Sequence, residues 1–422
     1  MSTSILGVLF FIYLGKIVGT MLQFITSGES HGKGLTVIIN GMPSNLKIDL
    51  DFINNELKRR QHGYGRGLRM KIESDQVEIL SGVRFGKTLG SPITLFIKNS
   101  DWENWTEKMS YTDIEEKPEK ITIPRPGHAD LVGSIKYDFD DIRNSIERSS
   151  ARETAARVAA CSISKLYLRE FGIKVQSFVE SIGGIYPKNN FYKKLLSDTI
   201  PKSINKINDT ADKSPVRVLE SEHETKIINR IKKIKKLGDT LGGTFIVVIT
   251  GVPVGLGTFA HFEDKIDAEI AQSIMSINAI KGVEIGIGFE AANIPGSSVH
   301  DEIYLKNKKI FRKTNRAGGI EGGISNGSPI IIRAAMKPIA TLMNPLHSID
   351  LATNKNIVSR RERSDFVAVP ACAVIGESMA AWSISKYFQM KFGGDSMKET
   401  LANFENYNKT YMSNLRENFK ND

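Results

Sequence analysis

Cysteine is nearly missing from this chain: Cys161 and Cys372 are the only two in 422 residues. Two thiols exclude a disulfide framework and a four-cysteine zinc site, and their scarcity fits a reducing cytoplasm. The seven histidines, among them His31, His62 and His128, show no zinc-like spacing, so no metal is expected. Long apolar runs are lacking too. The longest, from Ile5 to Leu14, is broken only by Gly7, and at about ten residues it falls short of the roughly 20 that cross a bilayer. No Lys or Arg precedes that run and no A-x-A cleavage site follows, so it makes a poor secretory signal. Residues 1–20 therefore read as a leader or as translated upstream sequence, with Met21 as the start.

Intact nucleotide motifs are also missing. Gly82-Val-Arg-Phe-Gly86-Lys87-Thr88 imitates a phosphate loop, but Ser81 stands where its first glycine belongs, and a hairpin turn accounts for it better. Gly286-Ile-Gly288-Phe-Glu-Ala291 imitates a dinucleotide fingerprint without the acidic residue about 20 positions on and without a βαβ setting. What is present is ordinary globular composition, 41% hydrophobic and 25% charged, which excludes a disordered tail protein. Lys+Arg at 57 against Asp+Glu at 47 gives a net charge of +10 and asks for an anionic partner: nucleic acid, membrane surface or a small polyanion.

Short β-branched runs punctuated by glycine predict strands in LTVIINGMP, VEILSGVRFG, SPITLFIKN, GGTFIVVITGVPVG and SPIIIRAAMKP. Apolar spacing of three and four predicts helices over 51–60, 149–171, 225–237, 266–280 and 372–392. Strands mixed with long helices, without regular alternation, predict a layered α+β fold. Segments 101–120 and 186–214 read as loops or insertions, and no internal repeat stands out. The helix KIINRIKKIKKL places Ile227, Ile231, Ile234 and Leu237 on one face; with no aromatic residue between its lysines to stack bases, it reads as a surface helix, although a basic nucleic-acid-binding module remains the alternative.

Four segments gather Arg, His, Ser and Gly where side chains can converge on an anion. Gly28-Glu29-Ser30-His31-Gly32 flanks a histidine with glycines, and Arg59-Arg60-Gln61-His62-Gly-Tyr-Gly-Arg66-Gly-Leu-Arg69 sets cations on a flexible loop. Pro124-Arg125-Pro126-Gly127-His128-Ala-Asp130 is joined to Arg148-Ser149-Ser150-Ala151-Arg152-Glu153, where Ser150 and Glu153 have capping-box spacing at a helix start that suits an anion. The last third adds Gly318-Gly-Ile-Glu321-Gly322-Gly323, then Lys337-Pro338-Ile339-Ala340-Thr341, then Arg361-Glu362-Arg363-Ser364-Asp365, where Asp365 is a carboxylate among cations.

Three long blocks, GESHGKGLTVIINGMP, ERSSARETAARVAACSI and RSDFVAVPACAVIGESMA, with RRQHGYGRG, RPGHADLVG, GGIEGGISNG and MKPIATL between them, make the chain resemble chorismate synthases from about Leu22 to about Phe392. The resemblance implies a single-domain β-α-β sandwich of mainly antiparallel sheets over 21–395, a polar tail over 396–422, and assembly as a cytoplasmic homotetramer with no nucleic acid or membrane partner. It implies a lyase reaction closing the shikimate pathway: 1,4-anti elimination of phosphate from 5-enolpyruvylshikimate 3-phosphate, dependent on reduced FMN without net redox change. By the same resemblance His128 is the acid at the departing phosphate, His31 protonates or steadies the flavin, Asp365 assists proton removal, and Ser30 and Ser150 support them. Arg60, Arg66, Arg125, Arg152 and Arg363 bind substrate; Arg148, Ser149, Ser150, Asn278, Ala279, Gly322, Lys337, Pro338, Ile339, Ala340, Thr341 and Arg363 bind FMN. Arg60 and Arg66 are also positions tied to NADP, with NADPH as a source of reductant, and a nicotinamide-dependent oxidoreductase is the second alternative. Lys33 and Ala340 depart from the prolines of many relatives.

Overall fold

The computed structural model describes residues 22–67, 74–306, 309–361 and 365–418. Its first sheet is built from β1 (Gln23–Ser27), β2 (Gly34–Asn40), β3 (Val77–Ser81) and β4 (Ile93–Lys98), in the order β1-β2-β4-β3. The second is built from β5 (Lys174–Ile182), β6 (Gly243–Thr250), β7 (Ile280–Ile285) and β8 (Ile330–Met336), in the order β5-β6-β8-β7. Every neighbouring pair in both sheets is antiparallel. The two sheets thus share one strand order, a repeat of topology that no sequence periodicity announces.

Eight helices matter here: α1 (Leu50–Gln61), α2 (Asp130–Tyr137), α3 (Arg143–Ser149), α4 (Thr154–Arg169), α5 (Ser221–Lys236), α6 (Ile266–Met275), α7 (Val369–Phe392) and α8 (Met397–Asn418). Helix α4 packs against β2 and β4 of the first sheet and against α7, and α7 packs against β5 and β6 of the second. That makes the β-α-β sandwich of an α+β fold. Both helices are buried almost all round, as expected of elements covered on both sides. Gly376 shows how close the layers come. A glycine in mid-helix costs about 1 kcal/mol against alanine, yet a Cβ here would lie 2.5 Å from Cε2 of Phe245 on β6.

The middle layer also encloses charge. Glu377 on α7 accepts hydrogen bonds from Arg59 at 3.0 Å, Lys165 at 2.6 Å, Ser177 at 2.8 Å and Asn208 at 3.1 Å. Glu56 takes Arg59 at 2.8 Å and also pairs with Lys165, so the ions are satisfied from α1, α4, α7 and β5. Burial works against ionised Glu377, but Arg59 and Lys165 hold it well below the usual carboxylate range.

Five of the predicted strand segments and the helices at 51–60, 225–237, 266–280 and 372–392 appear as read, within a few residues. GVRFGKT is a two-stranded hairpin, Val83–Arg84 with Lys87–Thr88, turning through positive φ at Phe85 and Gly86. In α5 the residues Ile227, Ile231 and Ile234 are buried, but Leu237 lies past the helix end and is 66% exposed. The helix expected over 149–171 divides into α3, a 3-10 turn over Ala151–Glu153, and α4.

Segment 186–214 is more than a loop. It forms short helices whose Tyr192, Leu195, Ile204 and Ile207 bury the outer face of the second sheet with Phe178, Ile246 and Val248. Residues 397–418, expected as polar tail, form α8, where Phe404 and Tyr407 pack on Phe392 and Tyr407 Oη donates to the Val254 carbonyl at 2.9 Å. Residues 1–20 lie outside the described residues.

Candidate active site

One cleft of about 450 Å³ draws on elements from the whole chain. Helix α1 runs out into the loop carrying Arg66; the stiff loop before α2 brings Arg125, Gly127 and His128; the α3–α4 junction brings Ser149 and Ser150. The turn into β7 adds Asn278 and Ala279, the segment after β8 adds Lys337, Ile339, Ala340 and Thr341, and Asp365 enters just ahead of α7. Arg60 completes the set from the last turn of α1.

His128 stands against a carboxylate and a guanidinium. Its Nδ1 is 2.5 Å from Asp130 Oδ1 and 3.1 Å from Arg125 Nη2. Asp130 is fully buried and accepts from the Arg125 backbone N–H at 3.0 Å and from Nε at 2.8 Å, so one carboxylate fixes both cleft residues. Burial opposes its charge, but hydrogen bonds from His128 and Arg125 hold its carboxyl well below the ordinary range. Arg125 Nη1 donates to Thr341 Oγ1 at 3.1 Å, tying this loop to the segment after β8. Lys337 Nζ donates to the Gly127 carbonyl at 2.5 Å; Gly127 sits at φ +78°, a backbone conformation that suits glycine.

Asp75 joins Arg60, at 2.8 Å, to Arg152, at 2.5 Å. Burial lowers the affinity of Arg60 for its proton and Asp75 resists that; burial likewise pushes Asp75 up, and Arg60 and Arg152 overcome it. Asp365 accepts from the Gly67 N–H at 2.6 Å and lies 3.2 Å from Arg66 Nε. Cys372 borders the cleft, but burial pushes its thiol up to about 12, so it contributes a small apolar wall and no nucleophile.

Several predicted residues line no part of this cleft. Ser30 and His31 lie on the β1–β2 loop: the Ser30 N–H donates to the Glu147 carbonyl at 3.0 Å, and His31 Nδ1 is 2.9 Å from Glu147 Oε1 with its ring stacked on Trp105. Arg148 is spent on backbone, donating to the carbonyls of Gly28 at 3.2 Å and Thr26 at 2.9 Å. Arg152 faces Asp75 and Asn99. Gly322 turns the hairpin Ile320–Glu321 with Ile324–Ser325, and Pro338 lies between lining residues without lining. Arg363 lies outside the described residues. Ser150 caps the 3-10 turn through Arg152 N, but Glu153 does not return to complete a capping box; it takes Thr26 Oγ1 at 2.8 Å and Arg157 at 2.9 Å.

Asp75, Asp130 and Glu147 were not among the predicted site residues. Asp130 had a signal, two residues after a loop histidine; Asp75 and Glu147 reach their partners only through the fold.

Acid should expose these pairs. Asp75, Asp130 and Glu377 all titrate lower folded than unfolded, so their stabilisation is complete above about pH 5 and is lost as pH falls further. The urea midpoint is expected to drop between pH 5 and pH 3, and Asp130→Asn to lower the midpoint at pH 7 while flattening that drop; an unchanged slope would contradict this.

Residues 22–388 match the family model described as chorismate synthase. The chain is 51% identical over 403 residues to chorismate synthase of Chlorobium phaeobacteroides, covering 95% of this chain and 100% of that one. It is 52% identical over 391 residues to that of Aquifex aeolicus, covering 92% and 97%. A solved structure titled as the crystal structure of chorismate synthase superposes with a TM-score of 0.73 at 43% identity, over 92% of this chain and 97% of that one. A sandwich of two like sheets, a cationic cleft around a carboxylate-held histidine, and a family match along nearly the whole length agree: the chain belongs to the chorismate synthase family of lyases.

Proposed function

We propose that this chain eliminates phosphate from 5-enolpyruvylshikimate 3-phosphate to give chorismate, with reduced FMN required and no net redox change. The observation that carries the reading is the convergence of Arg60, Arg66, Arg125 and Lys337 with His128 in one cleft. A substrate with two carboxylates and a phosphate needs several fixed cations, and guanidiniums already aligned by Asp75 and Asp130 meet that need without reorganising. As the C–O bond breaks, the departing phosphate oxygen keeps the bonding electron pair and takes up the proton that His128 donates. Asp365, held by Gly67 and Arg66, assists removal of the C6 proton, whose bonding pair goes into the new double bond. Arg60 and Arg66 line the same cleft as His128, which supports substrate contact over a separate nicotinamide site.

The residues fit a flavin. Two buried polar atoms, Arg60 Nε and Asn278 Oδ1, have no hydrogen-bond partner among the described residues, and both residues line the cleft. Ala279 takes a left-handed φ of +67° while its carbonyl accepts from Lys337 N at 2.9 Å, a strained element of the kind found at binding sites. Ile277, Ile339, Ala371 and Ile375 give a flat ring an apolar wall. Ser149, Ser150, Asn278, Ala279, Lys337 and Thr341 would hold FMN; Arg148, Gly322, Pro338 and Arg363 join them through the family resemblance. When bound there, reduced flavin would supply transient electron density to the substrate without net oxidation.

Self-assembly into a homotetramer is supported by the outer face of the first sheet, where cross-strand partners Ile25 and Ile38 are 75% and 46% exposed. A cytoplasmic setting is supported by two free, buried thiols. Reduced FMN together with substrate, each at about 100 times its Kd, is expected to raise unfolding free energy by roughly 2.7 kcal/mol for each ligand that binds only the folded state. Duplex DNA is expected to do nothing. Stabilisation by DNA that disappears with salt, with none from the ligand pair, would favour the nucleic-acid reading and overturn this one.

A further inference from the structure

His31 is gripped by Glu147, the first residue of the block ERSSARETAARVAACSI, to which the resemblance assigns no role. Helix α3 delivers Glu147, 3% exposed, beneath the β1–β2 loop. Its carboxylate accepts from the His31 backbone N–H at 2.8 Å, and its two oxygens lie 2.9 Å and 3.0 Å from His31 Nδ1. Its own carbonyl accepts from the Ser30 N–H at 3.0 Å. On the ring face, Trp105 stacks with centroids 3.8 Å apart and planes 22° from parallel. Arg143 closes the group, its Nη1 3.8 Å from Glu147 Oε1 and its Cζ 5.4 Å from the Trp105 ring centre.

We propose that Glu147 is the positioning residue of His31, holding the proton on Nδ1 so that His31 exchanges protons through Nε2 alone. A buried carboxylate against one imidazole nitrogen selects the tautomer with hydrogen there and balances the charge whenever the ring is protonated. A loop histidine without it would rotate and share both tautomers. The chain uses the arrangement twice, since Asp130 takes the same nitrogen of His128. Helix α3 and the 101–120 segment carrying Trp105 thereby hold this ring of the β1–β2 loop by its edge and by its face. The inference rests on the proton role that the family resemblance implies for His31, and the experiment separates the two.

The test is a double-mutant cycle on the full-length enzyme with reduced FMN and substrate, joined to ¹⁵N-histidine NMR of the wild type. His31→Ala is expected to lower kcat. Glu147→Gln, which keeps shape but loses charge, is expected to lower kcat by roughly 10- to 100-fold with substrate KM unchanged, and to change kcat less than about twofold when His31 is already alanine. The His31 resonances are expected to report hydrogen on Nδ1 in the wild type. Equal losses from Glu147→Gln in both backgrounds, or hydrogen on Nε2 in the wild-type ring, would overturn the positioning role while leaving His31 as a catalytic candidate. Normal turnover of His31→Ala would remove the proton role itself, and the positioning role with it. The wild-type spectrum decides even if a variant fails to fold.

Discussion

His128→Ala is expected to slow elimination by about 10²- to 10⁴-fold, the range for loss of a positioned general acid, with substrate KM nearly unchanged. Phosphate leaves poorly as a full anion, and His128 is the cleft imidazole whose Nδ1 already has a carboxylate, 2.5 Å away. With Nδ1 committed to Asp130, the other nitrogen delivers the proton. The cations that bind the substrate, Arg60, Arg66 and Lys337, are untouched by the substitution, so loss should fall on kcat and not on KM. His128→Asn, which cannot donate as an acid, should match alanine. Steady-state rates of phosphate release read both; a variant within threefold of wild type, or one whose loss is all in KM, would remove His128 from this role.

Glu377→Ala is expected to cost about 3–5 kcal/mol of stability, the range for breaking a buried ion pair from one side. Arg59 and Lys165 lie behind the cleft wall with side chains 9% and 7% exposed, and the alanine would leave both cations short of a partner. Ser177 and Asn208 would lose their acceptor as well. Glu377→Gln keeps the shape and should lose less. Because Ala371, Cys372 and Ile375 on the same helix line the cleft, the alanine variant should also bind substrate more weakly. Urea unfolding at pH 7 reads the stability; a loss under 1 kcal/mol would mean that the network is dispensable.

Much of this was legible in the residues. Strands with clean apolar runs, such as β6 and β8, announced themselves because their buried positions are all apolar and mostly Val and Ile. Strand β5 did not: Gln176, Ser177, Glu180 and Ser181 are buried polar residues serving the charge network and the 186–214 segment, so the apolar pattern that marks a strand is broken. A different cause hid the 186–214 helices, which are too short to show a period yet bury Tyr192 and Leu195. In the cleft, cations on glycine-rich loops stood out, but their anchors did not. Asp75 reaches Arg60 and Arg152 from 15 and 77 residues away, and Glu147 reaches His31 across 116, separations at which no local motif operates. Arg148 and Arg152, alike in sequence context to cleft arginines, are diverted to backbone carbonyls and to Asp75 and Asn99.

The central claim, a flavin-requiring elimination without net redox change, is tested most directly by anaerobic turnover with photoreduced FMN and 5-enolpyruvylshikimate 3-phosphate. Chorismate absorbance and released phosphate should rise together, many equivalents per flavin, with the flavin still reduced at the end and oxidised FMN giving nothing. Folded protein and intact substrate with no chorismate formed, or one flavin or NADPH oxidised for each product, would contradict it.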